Sequence, residues 1–267
     1  MLFTAILACG VSACGDDDDK VIVDPIIDNK VDKITYDGIV VTIDVNGNAN
    51  GGHRFLKIDE TNYFIDDIKY TVKNGDLVVS GYYKYNDTFK GEANLITQLI
   101  YNGEKMNVVA IERDAFLNCH TITSVIIPPS VTTIGYYAFQ NCTALTSVKI
   151  PENVTTIESW AFRGCTALSS VTIPNSVIDI GGQAFDHCSN LSSVYIGKGL
   201  KNIGYDAFNY CNKLIVVSIK SKTPPKIGID SFSNRRNAYL YIPIGCKIQY
   251  ETAKYWEDFG NIVEVDI

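Results

Sequence analysis

The sequence lacks the groups on which most enzymes and membrane-spanning proteins depend. No apolar run approaches the roughly 18 residues of a membrane-spanning helix. There are only three histidines, and no glycine-rich phosphate loop, serine nucleophile elbow or repeated carboxylate pair occurs. The 267 residues carry 23 basic and 30 acidic side chains, and the net charge of −7 disfavours nucleic acid as a partner. We therefore predict a protein that is not an enzyme, with no catalytic residue, no cofactor and no metal site.

In place of such motifs, the sequence contains a repeat of 23 residues. Each unit reads Ile-x-x-x-Ala-Phe-x-x-Cys-x-x-Leu-x-x-Val-x-Ile-Pro-x-x-Val-x-x. A unit this short cannot bury its own apolar side chains, whereas stacked units form a continuous core, so the repeat predicts a solenoid. The repeated cysteines are spaced by 23 residues without exception, and they are Cys119, Cys142, Cys165, Cys188 and Cys211.

The residues within one unit indicate its local structure. Residues 145–150 suit a short strand, which Pro151 ends because proline cannot donate to a ladder. Residues 154–157 suit a second short extended segment, and Ala161-Phe162 lie in what we predict to be one helical turn. Neighbouring copies of the cysteine should stand about 5 Å apart, within the range for disulfides. Since cysteine packs as a small apolar residue, we nevertheless predict free, buried thiols.

The repeated phrases 134–142 and 145–151 resemble the BspA-like leucine-rich-repeat surface proteins of anaerobic bacteria. The resemblance covers residues 109–243 and implies a β-rich α/β solenoid, namely a right-handed leucine-rich-repeat solenoid of 23-residue coils. Members of that family are surface proteins, and several are implicated in adhesion to host matrix proteins or to other cells. The resemblance thus implies a non-catalytic adhesin or protein-interaction module that binds host or neighbouring-cell macromolecules.

The segments on either side of the repeats are interpreted as caps. Residues 31–108 carry two hairpin signals, Asn74-Gly75 and Asn102-Gly103, and are predicted to form a β-rich N-terminal cap or small domain. Residues 244–267 are predicted to form an aromatic C-terminal cap. It would cover the open end of the solenoid with the side chains of Tyr250, Tyr255, Trp256 and Phe259.

The first thirty residues resemble the start of a bacterial lipoprotein. An apolar stretch ends in small residues before Cys14, so residues 1–13 are predicted to be a signal peptide and Cys14 the lipid-attachment site. Residues 14–30 are predicted to be an acidic tether, and their Asp16–Asp19 run resembles the export signal of surface lipoproteins in Gram-negative anaerobes. The predicted localisation is the outer membrane, exposed at the cell surface, with membrane contact only through the lipid anchor.

Two observations leave other interpretations of this segment open. Signal peptides normally begin with a basic residue, but the first one here is Lys20, and Cys9 follows a second cleavage motif, Ile6-Leu7-Ala8. Asp16–Lys20 also matches the recognition site of a protease that is used to remove tags.

Two surfaces are candidates for partner binding, although either could be an ordinary solvated face. The first, the strand face, consists of the outward positions of the predicted strands, which are Ser124, Ile126, Ser147, Lys149, Ser170, Thr172, Ser193, Tyr195, Val216 and Ser218. The second, the basic band, is a cation-rich stretch that comprises Lys198, Lys201, Lys213, Lys220, Lys222, Lys226, Arg235 and Arg236.

The partner is predicted to be a host matrix or cell-surface protein, or an anionic glycan that the basic band would steer. We expect a monomer that binds no nucleic acid. The alternative function is a glycan-binding accessory lipoprotein of a surface nutrient-uptake system. Stacked aromatic side chains on the strand face would favour that alternative, and the sequence places only Tyr195 there.

Overall fold

The computed structural model describes residues 33–36, 39–42, 55–57, 61–65, 68–82, 91–101 and 104–267. The predicted signal peptide, Cys14 and the acidic tether lie outside these residues. Within them, antiparallel strands lead into a solenoid whose coils are joined by two parallel ladders.

The N-terminal region is built from strands, most of which pair antiparallel. They are β1 (Lys33–Tyr36), β2 (Ile39–Thr42), β3 (Phe55–Lys57), β4 (Asn62–Ile65), β5 (Ile68–Lys73), β6 (Asp76–Tyr82), β7 (Gly91–Asn94), β8 (Gln98–Tyr101) and β9 (Glu104–Ile111). Asn74 and Gly75 join β5 to β6 with φ angles of 54° and 83°, which confirms the first predicted hairpin. β8 and β9 also pair antiparallel, with Tyr101 opposite Glu104, although residues 102–103 lie outside the described part. β6 pairs in parallel with β9, so this region continues one sheet of the solenoid.

Each coil contributes two short parallel strands, as the repeat predicts. In chain order they are β10 (Ile122–Ile126), β11 (Thr133–Ile134), β12 (Ser147–Lys149), β13 (Thr156–Ile157), β14 (Ser170–Ile173), β15 (Asp179–Ile180), β16 (Ser193–Ile196), β17 (Asn202–Ile203), β18 (Val216–Ile219) and β19 (Lys226–Ile227). The longer, even-numbered strands pair at the repeat step within two sheets, β10 with β12 and β14 with β16 and β18, so that Val194 lies between Val171 and Val217. The two-residue strands do the same on the second sheet, where Ile157 lies opposite Ile180.

Columns of identical side chains form the core. From Phe116 to Phe232 the repeated rings stack nearly parallel, with centroids 5.0–5.1 Å apart. From the second coil onward, each repeated thiol donates to the phenylalanine carbonyl of the coil before, as Cys165 does to Phe139 at 3.1 Å. The five repeated cysteines and Cys246 are buried thiols. Full burial of one phenylalanine contributes roughly 1.5–3 kcal/mol, so each ring of the column is a substantial stabilising contact.

The segment predicted to be a helical turn is a stack of tight turns instead. The N–H groups of Trp160, Phe162 and Gly164 donate to carbonyls of the next coil at distances of 2.7–3.1 Å. In an α-helix, the N–H groups point along the helix axis and donate to carbonyls of the same helix. Here every second N–H donates to the next coil instead, so the prediction of a helical turn is wrong. Trp160 and Gly164 adopt positive φ angles of 60° and 71° in these turns.

The aromatic C-terminal cap is present and closes the column of rings. It follows β20 (Tyr239–Pro243), the last longer strand of the solenoid, and contains α1 (Lys247–Glu251) and β21 (Asn261–Val265). Tyr250 and Trp256 are fully buried, and the Trp256 ring lies 5.7 Å from that of Phe232. Tyr255, by contrast, is only half-buried. No helix in the described part of the chain is long and apolar enough to cross a bilayer.

Candidate functional site

The strand face is the outer side of the longer strands. Side chains alternate along each strand, so in β14 Val171 and Ile173 are buried while Ser170 and Thr172 are exposed. Parallel pairing at the repeat step aligns the outward residues in two rows. All ten predicted residues are exposed or half-buried: Ser124, Ser147, Ser170, Ser193 and Val216 in one row, and Ile126, Lys149, Thr172, Tyr195 and Ser218 in the other.

The strand face is divided between a three-stranded and a five-stranded sheet. β12 pairs with β10 and β14 pairs with β16, but among the described strands no ladder joins β12 to β14. Val148 is half-buried beside this break, whereas its counterparts Val125 and Val171 are both 2% exposed. The repeat pattern gives no sign of the break, because the inward residues on both sides of it are the same.

Two tyrosines extend the strand face beyond the predicted residues. β20 pairs with β18 so that Tyr239 lies opposite Val216 and Tyr241 opposite Ser218. Their ring centroids are 6.2 Å apart, and the side chains of Tyr195 and Tyr239 are 47% and 46% exposed. We call Tyr195, Tyr239 and Tyr241 the tyrosine patch. The alternation of Leu240 and Ile242 with these tyrosines was the sequence signal that could have found them.

The structure separates the basic band into three groups. Lys213 lies before β18 and donates to Asn190 Oδ1 at 2.7 Å, and Arg235 pairs with Asp258 at 2.9 Å, with Arg236 exposed beside it. The remaining lysines are exposed, four of them on the loops that lead from β16 and β18 into the second sheet and Lys226 at the start of β19. We call this group the lysine edge, which consists of Lys198, Lys201, Lys220, Lys222 and Lys226. The basic band is longer than one coil, so its residues are distributed around the solenoid. Cations that are close in the sequence therefore lie on different sides of the structure.

The positive charge of the lysine edge is uncompensated by ion pairs among the described residues. Asp179 lies in a strand next to β17, where its carboxylate accepts a hydrogen bond from Asn202. Asp206 and Asp230, the two acids within the basic band, lie in the tight turns that follow the second sheet. Exposed charges act over about 8 Å at physiological ionic strength, so the lysine edge is a candidate site for an anionic group.

A charge cluster around the buried Asp186 was missed in the sequence, and its partners Arg163 and His187 are 38% and 48% exposed. Asp186 is 2% exposed, and its Oδ2 lies 3.0 Å from Arg163 Nε and 2.8 Å from His187 Nδ1. The His187 ring packs on Tyr210, so the cluster links three successive coils. The sequence signal that could have indicated this cluster is the pair of opposite charges at the same repeat position, Arg163 and Asp186. In the described part of the chain, no three His, Cys, Asp or Glu side chains are grouped as metal ligands.

Three of the repeated thiols are poor nucleophiles. Burial is the main cause that raises the pKa of Cys165 and Cys188 well above the ordinary value, and it raises the pKa of Cys211 to about 12. Because the thiolate is the reactive form, these cysteines act as packing groups.

Comparison with known proteins identifies the solenoid. Six copies of the BspA type leucine-rich repeat region match residues 109–239. The solenoid of this chain belongs to the BspA-type leucine-rich-repeat family. This confirms the resemblance inferred from the repeated phrases, and it makes the chain a leucine-rich-repeat interaction module.

Solved structures of bacterial proteins share the fold. A leucine rich cell surface protein from Faecalibacterium prausnitzii A2-165 is 22% identical with a TM-score of 0.50, over 69% of this chain and 55% of that one. The T. pallidum leucine-rich-repeat protein is 20% identical with a TM-score of 0.51, over 75% of this chain and 97% of that one. The pneumococcal vaccine antigen PcpA is 15% identical with a TM-score of 0.55, over 76% and 49%. The chain thus spans about half the length of two of these relatives. No curated protein matches it by sequence.

Proposed function

We propose that the protein is a non-catalytic adhesin whose strand face binds a matrix or cell-surface protein of a host or a neighbouring cell. The observation that carries this proposal is the pair of outward rows on the longer strands, held in register by a core of stacked side chains. A surface on such a scaffold is organised before a partner arrives, so little conformational entropy is lost on binding.

The composition of the strand face suits a protein partner. Serines fill four of the five positions in the first row, whereas the second row carries Ile126, Lys149 and Tyr195. Ile126 is 54% exposed and Tyr195 is 47% exposed. Protein interfaces concentrate their binding energy in a few such large side chains, surrounded by small ones that exclude water.

Display at the cell surface is part of the same proposal. The F. prausnitzii relative is called a cell surface protein and the pneumococcal relative a vaccine antigen. Cys14, with small residues before it and acids after it, would supply the lipid anchor in the outer membrane. Cells that express the chain should incorporate a fatty-acid probe into it, and Cys14→Ala should abolish labelling. Unchanged labelling of the variant would reject the anchor.

An array of matrix proteins, cell-surface proteins and glycans, probed with residues 20–267, tests the binding role. Replacing Ile126, Lys149 and Tyr195 together by serine should weaken binding to the selected protein at least tenfold, since these are the large side chains among the ten residues predicted from the sequence. A matched control replaces Ile229, Lys105 and Tyr210 by serine, which are exposed away from the face. Equal loss in both variants would reject the strand face as the binding surface.

A glycan-binding accessory role in nutrient uptake is the second candidate, and the tyrosine patch favours it. Tyr239 and Tyr241 supply the additional aromatic side chains that were absent from the predicted face. Selection of glycans rather than proteins on the array, with loss of binding in Tyr239→Ala, would support this candidate. A response confined to proteins would eliminate it.

A further inference from the structure

The tyrosine patch and the lysine edge adjoin one another. Lys220 directly follows β18, and its N–H still donates to the carbonyl of Ile196 in β16 at 2.9 Å. Tyr195 precedes Ile196 by one residue, and Tyr241 lies opposite Ser218 on the other side of β18. Lys220 therefore lies at the end of the strand that separates the two tyrosines.

The spacing of the tyrosines suits a chain of sugar rings. Tyr195 and Tyr241 are opposite the same residue, Ser218, from neighbouring strands. Two strand spacings separate them by about 10 Å, which is roughly the length of a disaccharide. The Ser218 hydroxyl between them can donate to or accept from a sugar hydroxyl or a ring substituent.

The loop that carries Lys220 and Lys222 is fixed by the C-terminal cap. The buried Tyr250 hydroxyl donates to the Ser221 carbonyl at 2.8 Å, and Trp256 Nε1 donates to the Pro225 carbonyl at 2.7 Å. Inside the loop, the Ser221 hydroxyl donates to the Thr223 carbonyl at 2.6 Å. Cations on an ordered loop bind an anion with a smaller entropy cost than cations on a mobile loop.

We propose that the tyrosine patch and the lysine edge together form a binding site for a sulfated polysaccharide. Sugar rings pack on Tyr195 and Tyr241, and the sulfates of the same chain contact Lys198, Lys220 and Lys222. A sulfated chain presents a row of negative charges, and this edge presents lysines in two adjacent coils without ion-pair partners among the described residues. This inference deepens the proposed binding role. It rests on the proposed function in one respect, namely that the solenoid is displayed at the cell surface, where a polysaccharide can reach it.

The first experiment measures the affinity of residues 20–267 for a heparin oligosaccharide of defined length over a range of salt concentrations. Lys220→Gln with Lys222→Gln should lower the affinity about tenfold and make it less dependent on salt, because two ionic contacts are removed. The control is Lys105→Gln with Lys254→Gln, which changes the net charge equally at other exposed positions. It should bind as the unaltered protein does.

The second experiment removes the sugar-packing surface. Tyr195→Ala should lower the affinity severalfold while leaving the salt dependence unchanged, because the lost contact is not ionic. Tyr210→Ala, an exposed tyrosine away from the patch, is the matched control. Thermal unfolding of each variant confirms that the solenoid is intact.

Each of the following results would overturn the inference. Equal weakening by the two lysine pairs would show that net charge, not this edge, attracts heparin. Unchanged heparin affinity in Tyr195→Ala would show that the protein binds heparin through charge alone. Equal affinity for single-stranded DNA of the same length would show the same. Absence of heparin binding by a protein that binds a matrix protein through its strand face would reject this site alone. Absence of both would reject the proposed function as well.

Discussion

The interior and the strand face of the solenoid are built on the same step of 23 residues but differ in how strictly they repeat. Inside, each coil packs on a copy of itself, so the phenylalanine and cysteine columns keep one residue type along the stack. Outside, the row that contains Lys149 changes at nearly every coil, and Tyr195 and Ser218 follow in the same row. The constant interior residues therefore specify the fold, whereas the varying outward residues are those that we propose bind a partner, and mutation can separate the two.

The largest effect should come from the phenylalanine column. Phe162→Ala should reduce the free energy of unfolding by about 3–5 kcal/mol, because it leaves a cavity between two stacked rings. Tyr195→Ala on the strand face should change it by no more than about 0.5 kcal/mol. Urea unfolding of both variants makes the comparison. Similar losses at the two positions would remove the distinction between interior and face.

The cysteine column should give the next largest effect. Cys165→Ser places a hydroxyl in an apolar stack and should cost about 1–3 kcal/mol, with the Phe139 carbonyl as its available acceptor. Ser193→Ala on the strand face serves as the control and should be nearly neutral. Thiol titration of unfolded residues 20–267 without reductant should find all six cysteines. Fewer thiols would mean that adjacent coils are cross-linked.

Alkaline pH should weaken the interior through the same column. Burial raises the pKa of Cys211 from about 9.0 to about 12, so the unfolded chain loses this proton at lower pH than the folded one. The stabilisation is complete below pH 9 and is lost as the pH rises towards 12, by about 1 kcal/mol for this thiol at pH 10. Unfolding free energies at pH 7.5 and pH 10 should therefore differ less in Cys211→Ala than in the unaltered protein. An identical difference in the two proteins would contradict the raised pKa.

The smallest expected effect lies in the tight turns. Asp230 is exposed and has a φ angle of 53°, in the left-handed region that a side chain makes unfavourable. Asp230→Gly should be more stable than Asp230→Ala by about 1 kcal/mol, since only glycine adopts this conformation without steric cost. Thermal unfolding ranks the two variants, and the reverse order would show that the turn relaxes.

The interior could be predicted from the sequence because one short phrase recurs in register. The step of the cysteines predicted the stack, and the aromatic tail predicted the cap around Trp256. The turn at Ala161-Phe162 was predicted wrongly, because local propensity does not show that Trp160 and Phe162 donate to the next coil. The fold of the repeats was thus readable from pattern alone, but their hydrogen-bonding partners were not.

The candidate site was less predictable because residues on it come from different coils. Alternation predicted that Tyr195 and Ser218 point outward, but the partnership of Ser218 with Tyr241 depends on the register of the last strands. The division of the basic band depends on where each loop lies around the coil. The spacing of the lysines and arginines along the sequence does not show these positions. Charge counted along a sequence is a poor guide to charge collected on a solenoid.

The most direct test of this account is hydroxyl-radical footprinting of the tyrosines with and without the partner selected on the array. The account predicts that Tyr195 and Tyr239 become protected when the partner binds, while Tyr205 and Tyr210, which are exposed to a similar degree in the tight turns, stay reactive. Protection of Tyr205 and Tyr210 with unchanged oxidation of Tyr195 and Tyr239 would place recognition on the wrong side of the solenoid and contradict the account.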